Sequence, residues 1–337
     1  MGVDDGHPAI RLSPLSRCLK CVGGGKLLVE NRGQTTIFAH MMARRHAFEK
    51  MVVCPRFFLL AICALVLAAC SATRVAYDNA DTMLRFMASS YLDLDAAQSD
   101  DLTPRIARFH QWHRSNELPA YAVLLRSASQ RAAEGITAED VTWGLTNVRL
   151  RYRRFAAKAA EDAAPVLATL ASAQLAALER KFSENNEKYA KEFLPSDDKE
   201  RRRRQLKRML ERFRDFAGEL TPDQEARIER FALGHERHVA LRFEDRQRWQ
   251  RDFVAALRRE RKPEELGRHL AGMFERPELR RSEEFIREDK RWDEDLGRLI
   301  VDLDRSLSPK QRAQVVRRLS DYAEDFAVLA GRRKEAA

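Results

Sequence analysis

Apolar side chains recur along most of this chain in steps of three and four, the period of a helix with one buried face. Val141, Leu145, Val148, Tyr152, Phe155 and Ala159 form one such stripe. Leu175, Leu178, Phe182, Tyr189 and Phe193 form another, followed by Leu206, Met209, Phe213 and Phe216. Phe285, Trp292, Leu296, Leu299 and Leu303 make a fourth, and Val315, Leu319, Tyr322, Phe326 and Leu329 a fifth. No run alternates with period two for long enough to make a strand. The pattern predicts an all-α fold, an extended or curled array of about nine to ten amphipathic helices. A single helical domain is expected over residues 78–330, with 331–337 as a frayed tail. The segment 282–306, if continuous, spans about 37 Å.

Prolines 104, 119, 165, 195, 222, 263, 277 and 309 punctuate this pattern and are read as helix starts or ends. Leu220-Thr221-Pro222-Asp223-Gln224 and Leu307-Ser308-Pro309-Lys310-Gln311 are near copies. Leu170-Ala171-Ser172-Ala173-Gln174 and Leu102-Thr103-Pro104 are looser versions, and Ile136-Thr137-Ala138-Glu139 is related. A hydroxyl residue can cap the helix, proline fits its first position, and an acid or amide follows. The copies are unequally spaced, which excludes a solenoid period.

The front of the chain breaks the pattern. Residues 57–69 read FFLLAICALVLAA behind Arg44, Arg45, Lys50 and Arg56, with Cys70 next. A basic region, an apolar stretch of about a dozen residues and small residues before a cut make a secretory signal. Thirteen apolar residues are too few to span a bilayer, which takes about 20. Leu67-Ala68-Ala69-Cys70 matches the bacterial lipobox, which implies cleavage between Ala69 and Cys70, a diacylglycerol thioether on Cys70 and an acyl chain on its new amino group. Ser71, where inner-membrane retention favours Asp, points to the outer membrane. Residues 51–69 then form the signal peptide and 70–77 a lipidated N-terminus and short tether. Residues 1–50 read as a disordered upstream extension, with translation starting at Met51, or at Met41 or Met42.

Charge and cysteine counts change with that cut. The chain holds 61 Lys/Arg, 51 Asp/Glu and five cysteines. Nine of those cations, four of the acids and four of the cysteines precede Cys70. What remains carries a net of +5 and Cys70 alone, so no disulfide is expected. Cys18-x-x-Cys21 has no second pair to complete a zinc ribbon. Nucleic acid is not an expected partner outside the cytoplasm.

Arg74 to Asp81, Tyr91-Leu92-Asp93-Leu94-Asp95, Trp112-His113-Arg114, Glu117 to Tyr121, Leu178 to Phe182 and Asn186 to Tyr189 follow the signal in order. Together they resemble an uncharacterised lipoprotein family of Gram-negative bacteria, a domain of unknown function. The resemblance runs from the signal to near residue 330 and is most specific at its N-terminal end. It implies a helical, lipid-anchored envelope protein and no reaction. LTPDQ and LSPKQ are also similar to the LTxxQ motif of Spy/CpxP-type periplasmic proteins, helical chaperones and stress sensors.

Candidate chemistry is sparse. His110 and His113, and again His235 and His238, lie one helical turn apart, a spacing that suits zinc or copper if Glu117, Asp101 or Glu236 adds a ligand. The commoner reading is core packing, and no metal and no cofactor beyond the acyl groups is expected. Asp93, Asp95, Asp100 and Asp101 lack the glycine and distal glutamate of a calcium loop; Asp95 with Asp100 or Asp101 reads as helix caps. No nucleophile elbow, phosphate loop or H-E-x-x-H occurs. Arg201, Arg202, Arg203, Arg204, Lys207 and Arg208 form the densest basic face, a candidate surface for anionic lipid or acidic clients. The sequence thus points to a non-enzymatic, lipid-anchored envelope protein facing the periplasm, most simply on the outer membrane. It would bind a protein client or envelope component through a helical groove and basic face. Two other readings stay open: an LTxxQ-type chaperone or stress sensor, and an envelope-acting or metal-binding enzyme built on His110 and His113.

Overall fold

The structure, a computed structural model, describes residues 74–331. The signal peptide, Ala69, Cys70 and the tail 332–337 lie outside the described residues. A first helical run begins at 74 and continues past Asn79 as α1 (Ala80–Leu92). There follow α2 (Ala96–Trp112), a π-turn (His113–Glu117), α3 (Leu118–Glu134), α4 (Ala138–Leu167), α5 (Ser172–Phe193) and α6 (Asp198–Ala217). Then come α7 (Pro222–Gly234), α8 (Glu236–Arg259), α9 (Pro263–Glu275), a 3₁₀ turn (Pro277–Leu279), α10 (Glu283–Arg305) and α11 (Pro309–Gly331). Among the described residues there is no strand. The all-α expectation holds, with eleven α-helices among the described residues in place of nine or ten; the π-turn and the single residue His235 each separate two helices that follow one another directly.

Most starts follow their capping residues. Thr221 accepts from the Gln224 N–H at 3.3 Å and Gln224 Oε1 accepts from the Thr221 N–H at 3.0 Å. Ser308 and Gln311 repeat this at 3.2 and 2.9 Å, and Thr137 and Asp140 do the same at the start of α4. Leu102-Thr103-Pro104 is a correction. The Asp95–Gln98 capping box starts α2 eight residues earlier, and Pro104 lies inside the helix on its exposed side, where water can reach the carbonyl its missing N–H leaves over. Pro165 likewise sits inside α4, in its last turn. Asp95 caps as expected, but Asp100 and Asp101 do not: both are within α2, and Asp101 pairs with Arg105 at 3.0 Å.

The glutamines do more than cap. Gln224 Nε2 donates to Gln311 Oε1 at 3.2 Å and Gln311 Nε2 donates to Gln224 Oε1 at 2.9 Å, so the starts of α7 and α11 are bolted together. Gln98 and Gln174 join α2 and α5 in the same reciprocal way, at 3.2 and 2.6 Å. At α5 only half of the box exists, because Ala171 has no side-chain acceptor.

Two helix pairs pack side by side through small residues. Ala156, Ala160 and Ala164 of α4 are buried where α9 passes, and a Cβ on Gly267 would stand 3.3 Å from the Ala164 methyl. Ala122, Ser129 and Ala132 of α3 meet Ala323 and Leu329 of α11, with Ser129 Oγ donating to the Val316 carbonyl at 3.1 Å. This rotates the buried face of α4 away from the predicted stripe: Val141 is buried, but Val148 and Tyr152 are each 58% exposed. The central core gathers Leu175 and Leu178 of α5, Leu257 of α8 and Leu266 and Leu270 of α9, all fully buried. A second cluster holds Ile228 and Phe231 of α7 against Leu299 and Leu303 of α10, beside Trp292.

Candidate functional site

The packing of α4 and α9 brings the middle of α4 alongside α8 and α10, and the four elements enclose a hollow of about 490 Å³. Its chemistry comes from pairs of arginines on separate segments. Arg149 and Arg153 come from α4, Arg242 and Arg246 from α8, and Arg280 and Arg281 from the turn before α10. Asp245, Asp289 and Asp293 face them. Six guanidinium groups against three carboxylates leave a surplus of three positive charges.

The charges are unevenly matched. Arg149 is held by Asp293. Asp245 accepts from Arg280 at 3.2 Å and lies 3.5 Å from Arg281, which also reaches Asp289 at 3.1 Å. Asp289 takes a hydrogen bond with His238 Nε2 at 3.0 Å. Burial pushes the Asp289 carboxyl up, but the His238 bond and the charges of Arg281, His238 and Arg149 outweigh it and hold it below the ordinary carboxylate range. Arg246 donates to Asn186 at 3.0 Å and lies over the Tyr189 ring. Arg153 and Arg242 are exposed and have no carboxylate partner among the described residues. The surplus is therefore concentrated on the rim, where solvent and solutes reach it.

The wall is aromatic. Tyr152, Trp249, Phe274, Phe285 and Trp292 line the hollow. Trp249 stacks on Phe253 with centroids 5.0 Å apart, and Trp292 stacks on His238 at 5.4 Å. The indole N–H of Trp249 and the Nε of Arg280 are buried with no hydrogen-bond acceptor among the described residues, and the buried Arg281 Nε has only the Asp245 carboxylate, at 3.5 Å. Such donors are rare in folded proteins, and a surplus of them matches an acceptor-rich ligand. Flat rings beside forked cations suit a molecule that joins an anionic group to a ring.

The residues singled out from sequence fall elsewhere, His238 excepted. His235 packs on Phe231 and meets Asp295 at 3.1 Å; burial first, against the pull of Asp295, lowers its pKa. His110 and His113 lie in a second polar cluster at the α2–α3 junction. Pro119 supplies no N–H for the Ser115 carbonyl, and the chain widens into the π-turn, closed by the Leu118 N–H on the His113 carbonyl. That turn aims His113 at Tyr77, whose hydroxyl meets Nδ1 at 2.8 Å. Rings of Tyr121 and Phe155 close round His113 at 5.6 and 5.5 Å. Burial, then the charge of His110, pushes the His113 imidazole down to about 4. Glu117 joins neither histidine in a ligand set: it is fully buried and faces Arg154 at 3.1 Å and Arg151 at 3.6 Å. Among the described residues no three His, Cys, Asp or Glu side chains converge as metal ligands.

The basic face of α6 is largely spoken for. Arg201 and Arg202 pair with Glu236 at 3.6 and 2.7 Å, Arg204 with Glu200 at 2.6 Å, and Lys207 with Glu211 at 3.8 Å. Arg203 reaches Glu200 only at 4.0 Å, and Arg208 lies 4.5 Å over the Phe193 ring. The hollow escaped sequence reading because its arginines are split among three segments spread over residues 149–281.

No helix among the described residues is long and apolar enough to cross a membrane. No curated protein and no solved structure matches the chain. A family model matches residues 90–287, a span that takes in the quoted motifs from Tyr91 onward and the hollow up to Phe285, but not Asp289, Trp292 and Asp293 of its α10 wall, residues 74–81 or α11. The chain belongs to that family, described as a family of unknown function (DUF6279).

Proposed function

We propose that this is a lipid-anchored, non-enzymatic envelope protein that captures an anionic saccharide, phosphorylated or carboxylated, in the hollow between α4, α8 and α10. The observation that carries the reading is the surplus of three guanidinium charges over an aromatic wall. The hollow's volume lies within the range of about 300–1,000 Å³ usual for small-molecule sites. Arginine forks suit planar or tetrahedral oxyanions, and indole and phenol faces suit the apolar face of a sugar ring. His238 is 2% exposed and engaged by Asp289, so it serves the wall better than it serves a reaction. The lipobox at residues 67–70 supports the anchor, which would hold the hollow near its ligand's source.

Trp249 and Trp292 supply the test. Glucose 6-phosphate, glucuronate and glucose are titrated against the protein purified from cells, and indole emission is followed. Saturable change with either anionic sugar, none with glucose, and about tenfold weaker binding in Arg153→Ser/Arg242→Ser are expected. The two anions separate phosphate from carboxylate recognition. Equal response to glucose, or a double variant that binds as well as the parent, rejects the reading.

A further inference from the structure

The helical run 74–92 has an outward face unlike any other in the described structure. Each of the ten helices α2 to α11 exposes Lys, Arg, Asp or Glu. The exposed positions of 74–92 hold no charged side chain at all. They fall in steps of three and four and carry Val75, Met83 and Phe86, exposed by 60%, 47% and 74%, among Asn79, Thr82 and Ser89. In a chain that is 33% charged, an uncharged face some five turns long is a marked departure.

Two charges of this run turn inward, while Asp81 and Arg85 sit half-buried at the edge of the face, Asp81 accepting from the Thr82 N–H at 2.9 Å and Arg85 donating to the Thr82 hydroxyl at 3.1 Å. Arg74 pairs with Asp325 of α11 at 2.8 Å, and Asp78 with Arg114 of the π-turn at 2.8 Å. Between them the Tyr77 hydroxyl meets His113. Arg114 is itself buried and donates to the Leu329 carbonyl at 3.4 Å. Residues 74–78 are thus tied to two other parts of the fold, and the uncharged face keeps one orientation on the body. Only residues 71–73 separate this run from Cys70. Four residue steps reach at most roughly 14 Å. An acylated Cys70 therefore holds the start of the run at the headgroups, with no slack to carry it away.

We infer that this face lies on the bilayer, with Val75, Met83 and Phe86 turned toward the acyl chains, so that the protein sits on the membrane in one fixed orientation. The inference rests on the lipid-anchored reading. It commits to the membrane over a second copy or a protein partner because the tether is short and the face is uncharged. An interfacial helix holds its place by buried apolar side chains, and a tether that keeps them at the surface makes a few of them sufficient.

The test uses the acylated protein in phosphatidylcholine vesicles with brominated acyl chains. After the cut, Cys70 is the only cysteine, and acylation blocks it. Phe86→Cys and Leu279→Cys each then accept one environment-sensitive fluorophore; Leu279 is 73% exposed, in the 3₁₀ turn. Bromine quenching of the Phe86→Cys label several times that of the Leu279→Cys label is expected. On that background, Met83→Glu should return the Phe86→Cys label to iodide in the water phase. Equal quenching at both positions in protein that incorporates labelled palmitate overturns the inference and leaves the anchor standing. Failure to incorporate palmitate overturns the anchor and the inference together. A spectral shift that appears without vesicles and grows with protein concentration assigns the face to a second copy and overturns it too.

Discussion

Gln98 and Gln224 stand in the same relation to the helices they hold. Each donates Nε2 to the carbonyl of the residue two positions before its partner's helix cap, Thr169 at 3.3 Å and Ser306 at 3.0 Å. Gln174 and Gln311 return the bond to Asp93 and Glu219 at 2.8 and 2.7 Å. Thr169 and Ser306 even turn their own hydroxyls back to Val166 and Leu303 at the same 2.8 Å. One joint is built twice, over α2–α5 and over α7–α11. In this chain the glutamines of LTPDQ and LSPKQ are spent inside the fold, in this joint.

Gln224 is fully buried, so losing its amide strands the Gln311 amide and the Ser306 carbonyl. Gln224→Leu should cost about 1–3 kcal/mol in urea unfolding. Gln311→Leu should cost a similar amount, and the double variant less than the sum by at least about 0.5 kcal/mol. Strict additivity would show that the amides do not act as a pair.

Gly267 marks the closest approach of α9 to α4, with the Ala164 methyl 3.3 Å from where a Cβ would stand. Gly267→Leu should overpack this seam and cost about 1–3 kcal/mol. A lower melting temperature is the expected readout. A variant that melts like the parent would mean that the two helices part without cost.

Acid should loosen the α2–α3 junction before it protonates the carboxylates. Burial holds His113 near 4 in the folded protein against about 6.5 in the unfolded chain. The unfolded state therefore binds more protons between those values, and stability falls as pH drops from about 6.5 to 4. His235, lowered by burial too, adds to the same limb. His113→Gln should flatten part of the fall in urea midpoint over that range, and an unchanged slope would contradict the assignment.

The arginines of the hollow should separate by role. Arg242 has no carboxylate partner among the described residues, so Arg242→Ser should leave stability within about 0.5 kcal/mol while weakening anionic sugar. Arg281 neutralises Asp245 and Asp289 together, and Arg281→Ser should cost about 1–3 kcal/mol of stability. Paired unfolding and binding curves for the two variants check both.

Local features were readable along the chain, and long-range ones were not. The stripe at 282–306 predicted α10 to within a residue at each end, because a helix with one apolar face writes its period into neighbouring positions. The caps at Thr221 and Ser308 were readable for the same reason, but the bond between Gln224 and Gln311 spans 87 residues and leaves no local sign. Val148 and Tyr152 misled because a periodic apolar position need not face the core once Ala156, Ala160 and Ala164 offer a tighter seam. The hollow was invisible for a further reason: Arg149, Arg242 and Arg281 each look like ordinary solvated cations until three helices cross.

The contacts that tie residues 74–78 to α11 also bring the two extremities of the described chain to one pole. Arg74 touches Asp325, and Arg114, the partner of Asp78, reaches Leu329. A reporter or affinity handle appended after residue 331 would emerge beside the acylated end and crowd it against the lipid. The loop at residues 194–197, between α5 and α6, is the better place to splice one in.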